Sequence, residues 1–380
     1  MSPKREPEAP WSLAAVGERA ILREVLRKLR AASPDPALLV GAGDDAAAYR
    51  LPTGEAAILT TDTLVEGTHF RRPWAAAADL GWKLVMSAAS DVSAMGGRPR
   101  AAVIAVSAPP AMTAAEFIGL VTGAEQAARE AGCLLTGGDT TASPTLVLTA
   151  TVLGGAPPEA LVRRSGAQVG DLVCVTGVLG EAGAGLGIVD QLCRMDPIPK
   201  DRWLRSESPL EVLGERLATL ALEPQSAAAL AEAVRRFLRP SPPFAVGPVL
   251  AAGGVTAAID VSDGLSSEVD WIAQESGVGI VIDADRIPVG AGARAWAAYR
   301  GLDPLSLAFG GGEDYELLFT VPERSWSALE RKLLGMEIRV AAIGQVTTES
   351  EGVTCRGADG FRRPLPDPGY EHFGRRPEPA

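Results

Sequence analysis

The sequence predicts an α+β protein of two domains, and three observations support that class. Its 380 residues exceed what one ordinary hydrophobic core organises. Buried-strand patterns alternate with amphipathic helical patterns along most of the chain. Residues 154–158, with two glycines and two prolines, interrupt this alternation and are the best candidate for a hinge. We therefore predict domains at 11–155 and 156–373, with flexible tails at 1–10 and 374–380.

The composition excludes several classes of protein. Hydrophobic residues make up 47% of the chain and charged residues 22%, which describes a globular protein. A net charge of −11 without a basic run disfavours a nucleic-acid partner. No apolar run approaches the ~18 residues of a membrane helix, and the N-terminus lacks the apolar region of a secretory signal. The four cysteines form no C-x-x-C pair, so we expect reduced thiols in the cytoplasm and no structural zinc.

The N-terminal elements begin with an amphipathic helix over residues 18–30 and continue with a buried strand over residues 56–59. Asp44 and Asp45 precede this strand, after a glycine turn. Oxygen ligands at turns and strand ends are the ligands that Mg²⁺ prefers. Aspartates are also frequent turn and cap residues, so this stretch fits both interpretations equally well. The oxygen-bearing side chains that follow the strand are Thr60, Thr61, Asp62 and Thr63.

A long helix is predicted over residues 79–97, with Asp79 as its N-cap and Gly96 at its end. Asp91 falls on the apolar stripe of this helix. A carboxylate in that position must be paired or bound to a metal, because burying it alone is costly. The alternative is that the helix places Asp91 at the rim of the apolar face, close to Arg98.

Further strands and a second helix complete the predicted N-terminal domain. The helix begins with a capping box formed by Thr113 and Glu116. A strand that starts at Leu134 runs into a glycine turn and Asp139, and the glycines let the backbone approach a ligand closely. The remaining strands are predicted over residues 101–108 and 146–153, and the helix over residues 113–131.

The C-terminal half begins with a strand over residues 171–176 and a glycine-rich turn into a helix. That turn lacks the Lys-Ser/Thr pair of a Walker A loop and does not fit G-x-G-x-x-G, so a standard nucleotide-binding fold is disfavoured. Residues 201–240 are predicted to form a helical insert, to which the sequence assigns no task.

A further acidic cluster lies at the end of the next predicted strand. Ile259 and Val261 would face the core there, while Asp260 and Ser262 would share the opposite side. Asp263 begins the turn that follows. Any one such cluster could be a set of helix caps, but their repetition at strand ends makes that explanation strained. The remaining predictions are Ser267 and Asp270 as caps of a helix ending near Gly277, a triple-glycine loop before Glu313, and a strand over residues 317–321.

Convergence of these acids would require a counter-charge. Two carboxylates ~5 Å apart repel by roughly 3 kcal/mol at an effective dielectric near 20, and several such pairs would exceed the ~5–15 kcal/mol margin of a normal fold. Divalent cations remove that cost and create a site for polyphosphate. Arg164 is a candidate cation for phosphoryl transfer, or a surface arginine beside Arg163. His69 is a candidate phosphate contact, or a packed or surface residue.

The ordered motifs resemble those of the bacterial thiamine-monophosphate kinase family, from about Trp11 to Phe373. The broader superfamily includes aminoimidazole-ribonucleotide synthetase, selenophosphate synthetase and a hydrogenase-maturation protein. The resemblance implies a two-domain fold of the aminoimidazole-ribonucleotide synthetase type, with N-terminal strands that build a barrel across a homodimer and an α/β C-terminal domain. The motifs are GAGDDAA, TTDTLVEGTHF, SDVSAMGG, GGDTT, RSGAQVGD, IDVSDGL, GGEDYELLF and GYEHF.

The family resemblance also implies an activity and a set of site residues. The activity is direct transfer of the ATP γ-phosphoryl group to thiamine monophosphate, with Mg²⁺ as cofactor and thiamine diphosphate as product. The residues implied as Mg²⁺ ligands are Asp45, Asp62, Asp91, Asp139, Asp260 and Asp263. Those implied to contact the nucleotide or its metals are Thr60, Thr61, Gly138, Arg164 and Ser262, and those implied to contact thiamine monophosphate are His69, Glu313 and Tyr370.

Two alternatives are open. One is another ATP-dependent member of the same superfamily, although the expected N-terminal or C-terminal cysteine of two members is missing from this sequence. The other is a catalytically silent sensor of Mg²⁺ and nucleotide. Thr60 stands where the family commonly has serine, which keeps the hydroxyl, and the insert at 201–240 is longer than usual for the family.

Overall fold

Two separate mixed sheets organise the chain in the computed structural model, which describes residues 36–40, 44–195, 224–366 and 369–370. The predicted helix at 18–30, the glycine turn at 41–43, both tails and most of the insert lie outside the described residues. The rest of the insert, from Pro224, is helical as predicted.

The first sheet has six strands in the order β1-β2-β3-β6-β4-β5, and only β4 and β5 run parallel. Side chains alternate across it: Ile58, Ile104 and Leu148 are buried against two helices, whereas Leu59 and Leu153 are exposed on the opposite face. The strands are β1 (Leu38–Val40), β2 (Ala47–Arg50), β3 (Ala56–Val65), β4 (Arg98–Ala108), β5 (Leu134–Ala142) and β6 (Val147–Ala156), and the helices are α1 (Ala77–Ala94) and α2 (Ala114–Glu130).

Helices α1 and α2 cross at close range because glycine stands at the crossing. A Cβ atom on Gly81 would lie 1.9 Å from the Leu120 carbonyl oxygen, and one on Gly123 would lie 1.9 Å from the Ala78 carbonyl oxygen. Only a hydrogen fits at these two positions, so the two backbones touch. This contact fixes α1, which carries Asp91, against the first sheet.

The second sheet has seven strands in the order β13-β12-β9-β11-β7-β10-β8, antiparallel except for β12 beside β9. The strands are β7 (Leu172–Thr176), β8 (Ala257–Asp260), β9 (Gly279–Asp283), β10 (Leu317–Val321), β11 (Val340–Thr347), β12 (Val353–Arg356) and β13 (Arg362–Arg363). The helices of this half are α3 (Glu181–Met195), α4 (Pro224–Leu238), α5 (Gly247–Ala252), α6 (Leu265–Ser276), α7 (Ala291–Arg300), α8 (Pro304–Gly310) and α9 (Glu323–Leu334).

Helix α1 also joins the two halves. The Trp82 indole Nε1 donates to the Pro240 carbonyl oxygen at 2.8 Å, and Arg239 Nε donates to Asp79 Oδ1 at 2.5 Å. One continuous apolar cluster contains residues of both sheets, including Ile58 and Val175. Among the described residues, none of the helices combines the length and apolar character needed to cross a bilayer.

Several predicted elements are confirmed, and others need correction. The capping box of Thr113 and Glu116 is present at the start of α2, and Gly277 ends α6 in the left-handed conformation. The prediction of Asp79 as N-cap is wrong, because α1 starts earlier and the Asp79 carboxylate accepts the backbone N–H of Ala76 at 3.3 Å. Ser267 and Asp270 lie inside α6 and do not cap it, since its N-cap is Gly264.

The largest errors concern where strands end. Strand β3 continues through Thr60 to Val65, and β5 continues through Asp139, because each pairs with a neighbouring strand along that length. Residues 154–156, predicted to begin the hinge, are the last residues of β6. Strand β8 ends at Asp260, so Ser262 lies in a loop and not on a strand face.

Candidate active site

Three aspartates from three different elements meet between the two sheets. Asp45 precedes β2, Asp91 lies on α1, and Asp260 is the last residue of β8. One carboxylate oxygen of each lies within 4.8 Å of the other two. The Thr60 hydroxyl, on β3, donates to Asp91 Oδ2 at 2.5 Å. Asp91 therefore lies in a shared acidic centre, and not at a rim beside Arg98.

Arg164 holds one side of this acidic centre. Its Nε and Nη2 atoms donate to Asp45 Oδ1 at 3.0 and 2.5 Å, and its backbone N–H donates to Asp44 Oδ1 at 3.1 Å. The guanidinium also lies 5.6 Å from the centre of the Trp271 ring. Since the Asp45 side chain is fully buried, this pairing offsets part of the cost of burying its charge.

Burial and mutual repulsion keep the other carboxylates from ionising at their ordinary pKa. Burial raises the pKa of Asp62 to about 6, and the Asp45 charge adds to that effect while the Ser87 hydroxyl opposes it. Burial, followed by the charge of Asp45, raises the pKa of Asp260 to about 8. The pKa of Asp91 lies well above its usual range because of burial first and then the charges of Asp62 and Asp260.

The donor set fits a divalent cation. Its oxygens are carboxylates and a threonine hydroxyl, which are hard ligands of the kind Mg²⁺ takes. The Asp45 Oδ2 atom is buried and has no hydrogen-bond partner. A buried carboxylate oxygen without a donor is costly, and a cation at that position would satisfy it. The residues that could hold the cation are Asp45, Asp91 and Asp260, with Asp62 beside them.

Two loops beside Asp260 bring further predicted residues together. The Glu313 backbone N–H donates to the Ser262 carbonyl oxygen at 2.6 Å, and the Tyr370 N–H donates to the Asp263 carbonyl oxygen at 3.1 Å. Glu313 and Tyr370 therefore both contact the 262–263 turn, although more than 50 residues separate them in sequence. Two of the three residues predicted to bind the second substrate are therefore brought together at this end of the acidic centre.

Other predicted residues lie on the far face of the first sheet. Asp139 on β5 is paired with Ala105 on β4, and Ala105 is paired with Thr149 on β6, which is paired with Thr63 on β3. Residues paired in this way point to the same side of a sheet, so all four lie on its exposed face. Thr61 faces the same way and bonds to Thr151 across the strands at 3.2 Å. Asp62 points to the opposite face, so this chain alone does not bring Asp139 or Thr61 to the acidic centre.

Gly138 and His69 have local roles in the structure. A Cβ atom on Gly138 would lie 1.8 Å from the Ile104 carbonyl oxygen, so the close approach of β4 already requires glycine there. The His69 Nδ1 atom accepts the Val65 backbone N–H at 3.0 Å, in the turn after β3. That bond fixes the ring nitrogen as an acceptor.

Sequence reasoning missed two buried residues beside the centre. Glu268 is 1% exposed, and its Oε1 atom accepts the backbone N–H groups of Ser262 and Asp263 at 3.3 and 2.9 Å. It therefore holds the turn after β8. Tyr315 is buried with a φ of +49°, and burial, then the Glu313 charge, raises the pKa of its hydroxyl well above the usual range. A glutamate four residues after Gly264, in the first turn of α6, was the available sequence signal for Glu268, whereas Tyr315 had no such signal.

Comparison with known proteins gives consistent matches across the chain. The N-terminal domain of AIR synthase related protein matches residues 43–156, and the C-terminal domain of the same family matches residues 168–356. The chain is 33% identical over 350 residues to a thiamine-monophosphate kinase of Mycobacterium tuberculosis, covering 91% of this chain and 93% of that protein. A thiamine-monophosphate kinase of Escherichia coli K12 is 33% identical over 362 residues, covering 94% and 99%.

A solved structure has the same architecture. The structure of AaThiL complexed with AMPPCP and TMP superposes with a TM-score of 0.75 at 28% sequence identity, covering 95% of this chain and 99% of that one.

Proposed function

Since the chain belongs to the thiamine-monophosphate kinase family of AIR synthase related proteins, we propose that it transfers the γ-phosphoryl group of ATP in line to thiamine monophosphate. The products are thiamine diphosphate and ADP. The observation that carries this proposal is the meeting of Asp45, Asp91 and Asp260 within 4.8 Å beside Arg164. Phosphoryl transfer needs positioning and charge neutralisation more than covalent chemistry.

The residues of the acidic centre and its surroundings would have distinct roles in metal, nucleotide and acceptor binding. Asp45, Asp91 and Asp260, with Asp62, would hold Mg²⁺, which when bound neutralises phosphate oxygens during transfer. Thr60 fixes the orientation of Asp91 through its hydrogen bond. Arg164, fixed by Asp44 and Asp45, presents a cation towards the nucleotide. Asp263 would add a metal ligand and Ser262 a nucleotide contact on the turn after Asp260. Glu313 and Tyr370 would form the acceptor end, where the carboxylate and the ring suit a cationic thiazolium and a flat pyrimidine.

We extend the proposal to a cytoplasmic homodimer with a domain boundary at residues 155–156. The face of the first sheet that carries Asp139 and Thr61 exposes apolar side chains, among them Leu59 at 48% and Leu153 at 42%. Paired strands with an apolar outer face are a surface that a second copy can cover. In such a dimer Asp139, Thr61, Gly138 and His69 would complete the nucleotide and phosphate contacts.

A product assay tests the proposed function. The protein is incubated with ATP, Mg²⁺ and thiamine monophosphate, and we expect thiamine diphosphate and ADP in equal amounts. Formylglycinamidine ribonucleotide, offered in a parallel reaction, should give no phosphate release. Nucleotide binding without turnover would instead support the sensor alternative, and turnover of the ribonucleotide would support the other superfamily activity.

The Asp91→Asn variant tests the metal assignment in the same assay. We expect kcat to fall by about 10²–10³-fold, the usual loss when one electrostatic group of a preorganised site is removed. Folding should remain cooperative, because asparagine has nearly the same shape as aspartate and burial already disfavours the charged form of Asp91. Asp359→Asn, which alters an exposed carboxylate paired with Arg363, is the matched control and should retain full activity. Full activity of Asp91→Asn would contradict the assignment.

A further inference from the structure

Lys83 makes an ion pair inside the protein that the proposed mechanism has not used. Its Nζ atom lies 2.8 Å from Glu313 Oε2, and the residue is only 4% exposed. Lysine is rarely buried unless it is paired, because the isolated charge is costly to desolvate. The pair joins α1, packed on the first sheet, to a loop of the second sheet 230 residues later in the chain.

Phe237 provides a second contact for the same ammonium group. Lys83 Nζ lies 3.8 Å from the centre of the Phe237 ring, on α4. A cation over an aromatic face is attracted by the ring quadrupole, and the attraction is greatest where water is excluded. The ammonium is therefore held from two sides, by Glu313 and by the ring, and its position is fixed before any ligand arrives.

The loop that presents Glu313 has an unusual backbone. Glu313 has a φ of +58° and Tyr315 a φ of +49°, in the left-handed region that non-glycine residues seldom adopt. Such strained residues persist only where their surroundings impose them. The Glu313 N–H is held by the Ser262 carbonyl oxygen at 2.6 Å, and its carboxylate by Lys83. Lys83 thus restrains the Glu313 carboxylate, which the backbone hydrogen bond does not hold.

Helix α1 sets the distance from this ion pair to the acidic centre. Lys83, Ser87 and Asp91 recur every fourth residue, so they lie along one stripe of the helix. Eight residues correspond to about 12 Å along the axis. Asp91 is in the acidic centre and Lys83 is beside Glu313, so the same helix positions both ends of the site.

We propose that Lys83 is the positioning residue that holds the Glu313 carboxylate against thiamine monophosphate and so sets affinity for the phosphoryl acceptor. This inference rests on the proposed function. Lys83 acts through Glu313 and not on the reacting phosphates, because its ammonium is already bound by the carboxylate and the Phe237 ring. Its loss should weaken acceptor binding and leave nucleotide binding unchanged.

Steady-state kinetics of Lys83→Met test the proposal, since methionine keeps an unbranched stem of similar length without the charge. We expect the KM for thiamine monophosphate to rise at least tenfold, with kcat within threefold and the KM for ATP within twofold. The increase in Tm caused by Mg²⁺ plus an ATP analogue should equal that of the wild type. Lys332→Met is the matched control, because Lys332 is exposed on α9, and it should behave as the wild type. If Lys83→Met does not fold, Lys83→Gln takes its place with the same expectation.

A double-mutant cycle with Glu313→Gln separates positioning from a structural role. Each single variant should raise the KM for thiamine monophosphate, and the double variant should be no more than threefold worse than the poorer single variant. Effects that multiply in the double variant, or an unchanged KM in Lys83→Met, would overturn the inference. A wild-type protein that does not phosphorylate thiamine monophosphate would remove the proposed function, and this inference with it. An active wild type with an unaffected Lys83→Met removes this inference alone.

Discussion

At the residue scale, the buried carboxylates make the stability of the protein depend on pH. Asp62 and Asp260 have folded-state pKa values of about 6 and about 8, against an ordinary value of 3.8, chiefly because burial disfavours their charged forms. Between the two values the folded protein binds more protons than the unfolded chain. Stability must then fall as pH rises through that window, which is the reverse of a carboxylate stabilised by a salt bridge.

We therefore predict that the metal-free protein loses thermal stability between pH 6 and pH 8, by a few degrees in Tm. Ionisation of Asp260, whose folded pKa is about 8, contributes to this loss, and so does ionisation of Asp91, whose pKa burial raises well above its usual range. Mg²⁺ should restore the loss, so its effect on Tm should be larger at pH 8 than at pH 6. Scanning calorimetry in a chelator and in Mg²⁺ measures the pH dependence of Tm with and without the metal, and Asp260→Asn should make the metal-free decline less steep. A metal-free Tm that rises from pH 6 to pH 8 would contradict this account.

At the element scale, local patterns located the helices better than the strand ends. Thr113 and Glu116 lie three residues apart, and their capping box uses only the side chains and backbone of one helical turn. The local sequence was therefore enough to predict the start of α2. The hydroxyls and Asp62 after residue 59 look like a turn locally, yet β6 pairs with β3 as far as Val65. Tertiary pairing decides such cases, because strand preference depends on neighbouring strands.

In the acidic centre, too, sequence predicted the features that depend on local patterns and missed those that depend on contacts between distant residues. Asp45, Asp91 and Asp260 were marked by their residue type and their place next to apolar runs, and the structure brings them together. The Lys83–Glu313 pair had no local signal, because its two members are 230 residues apart. The direction in which Asp139 faces depended on a register between β4 and β5 that no local pattern specifies.

The crossing of α1 and α2 gives a test at this scale. Gly123→Ala would improve helix propensity by up to about 1 kcal/mol, but its Cβ would lie 1.9 Å from the Ala78 carbonyl oxygen. We expect the overlap to prevail and to lower the free energy of unfolding by about 1–3 kcal/mol. Urea unfolding measures the change. Gly119→Ala in the same helix, with no neighbour closer than 3.8 Å, is the control and should be neutral or stabilising. Equal stability of the two variants would refute the close crossing.

At the scale of the whole molecule, the exposed face of the first sheet favours association. Leu59 and Leu153 are opposite each other on β3 and β6, and both are exposed. We predict a homodimer in solution, and we expect Leu59→Asp to convert it to a monomer that remains folded. Analytical ultracentrifugation distinguishes the two states. Ile118→Asp, which changes a side chain 64% exposed on α2, should remain dimeric. A monomeric wild type would contradict the predicted homodimer, and a dimeric Leu59→Asp would place the interface elsewhere.

Helix α1 belongs to the first half by sequence, but it is bound to the second half along its length. Asp79 is bound by Arg239 and Trp82 by Pro240, and a Cβ on Gly247 would lie 2.4 Å from the Ser93 carbonyl oxygen. Recombination that exchanged one half for that of a distant relative would therefore separate α1 from the surface that fits it. The two halves must be inherited together, and substitutions along α1 must be matched by substitutions across the boundary.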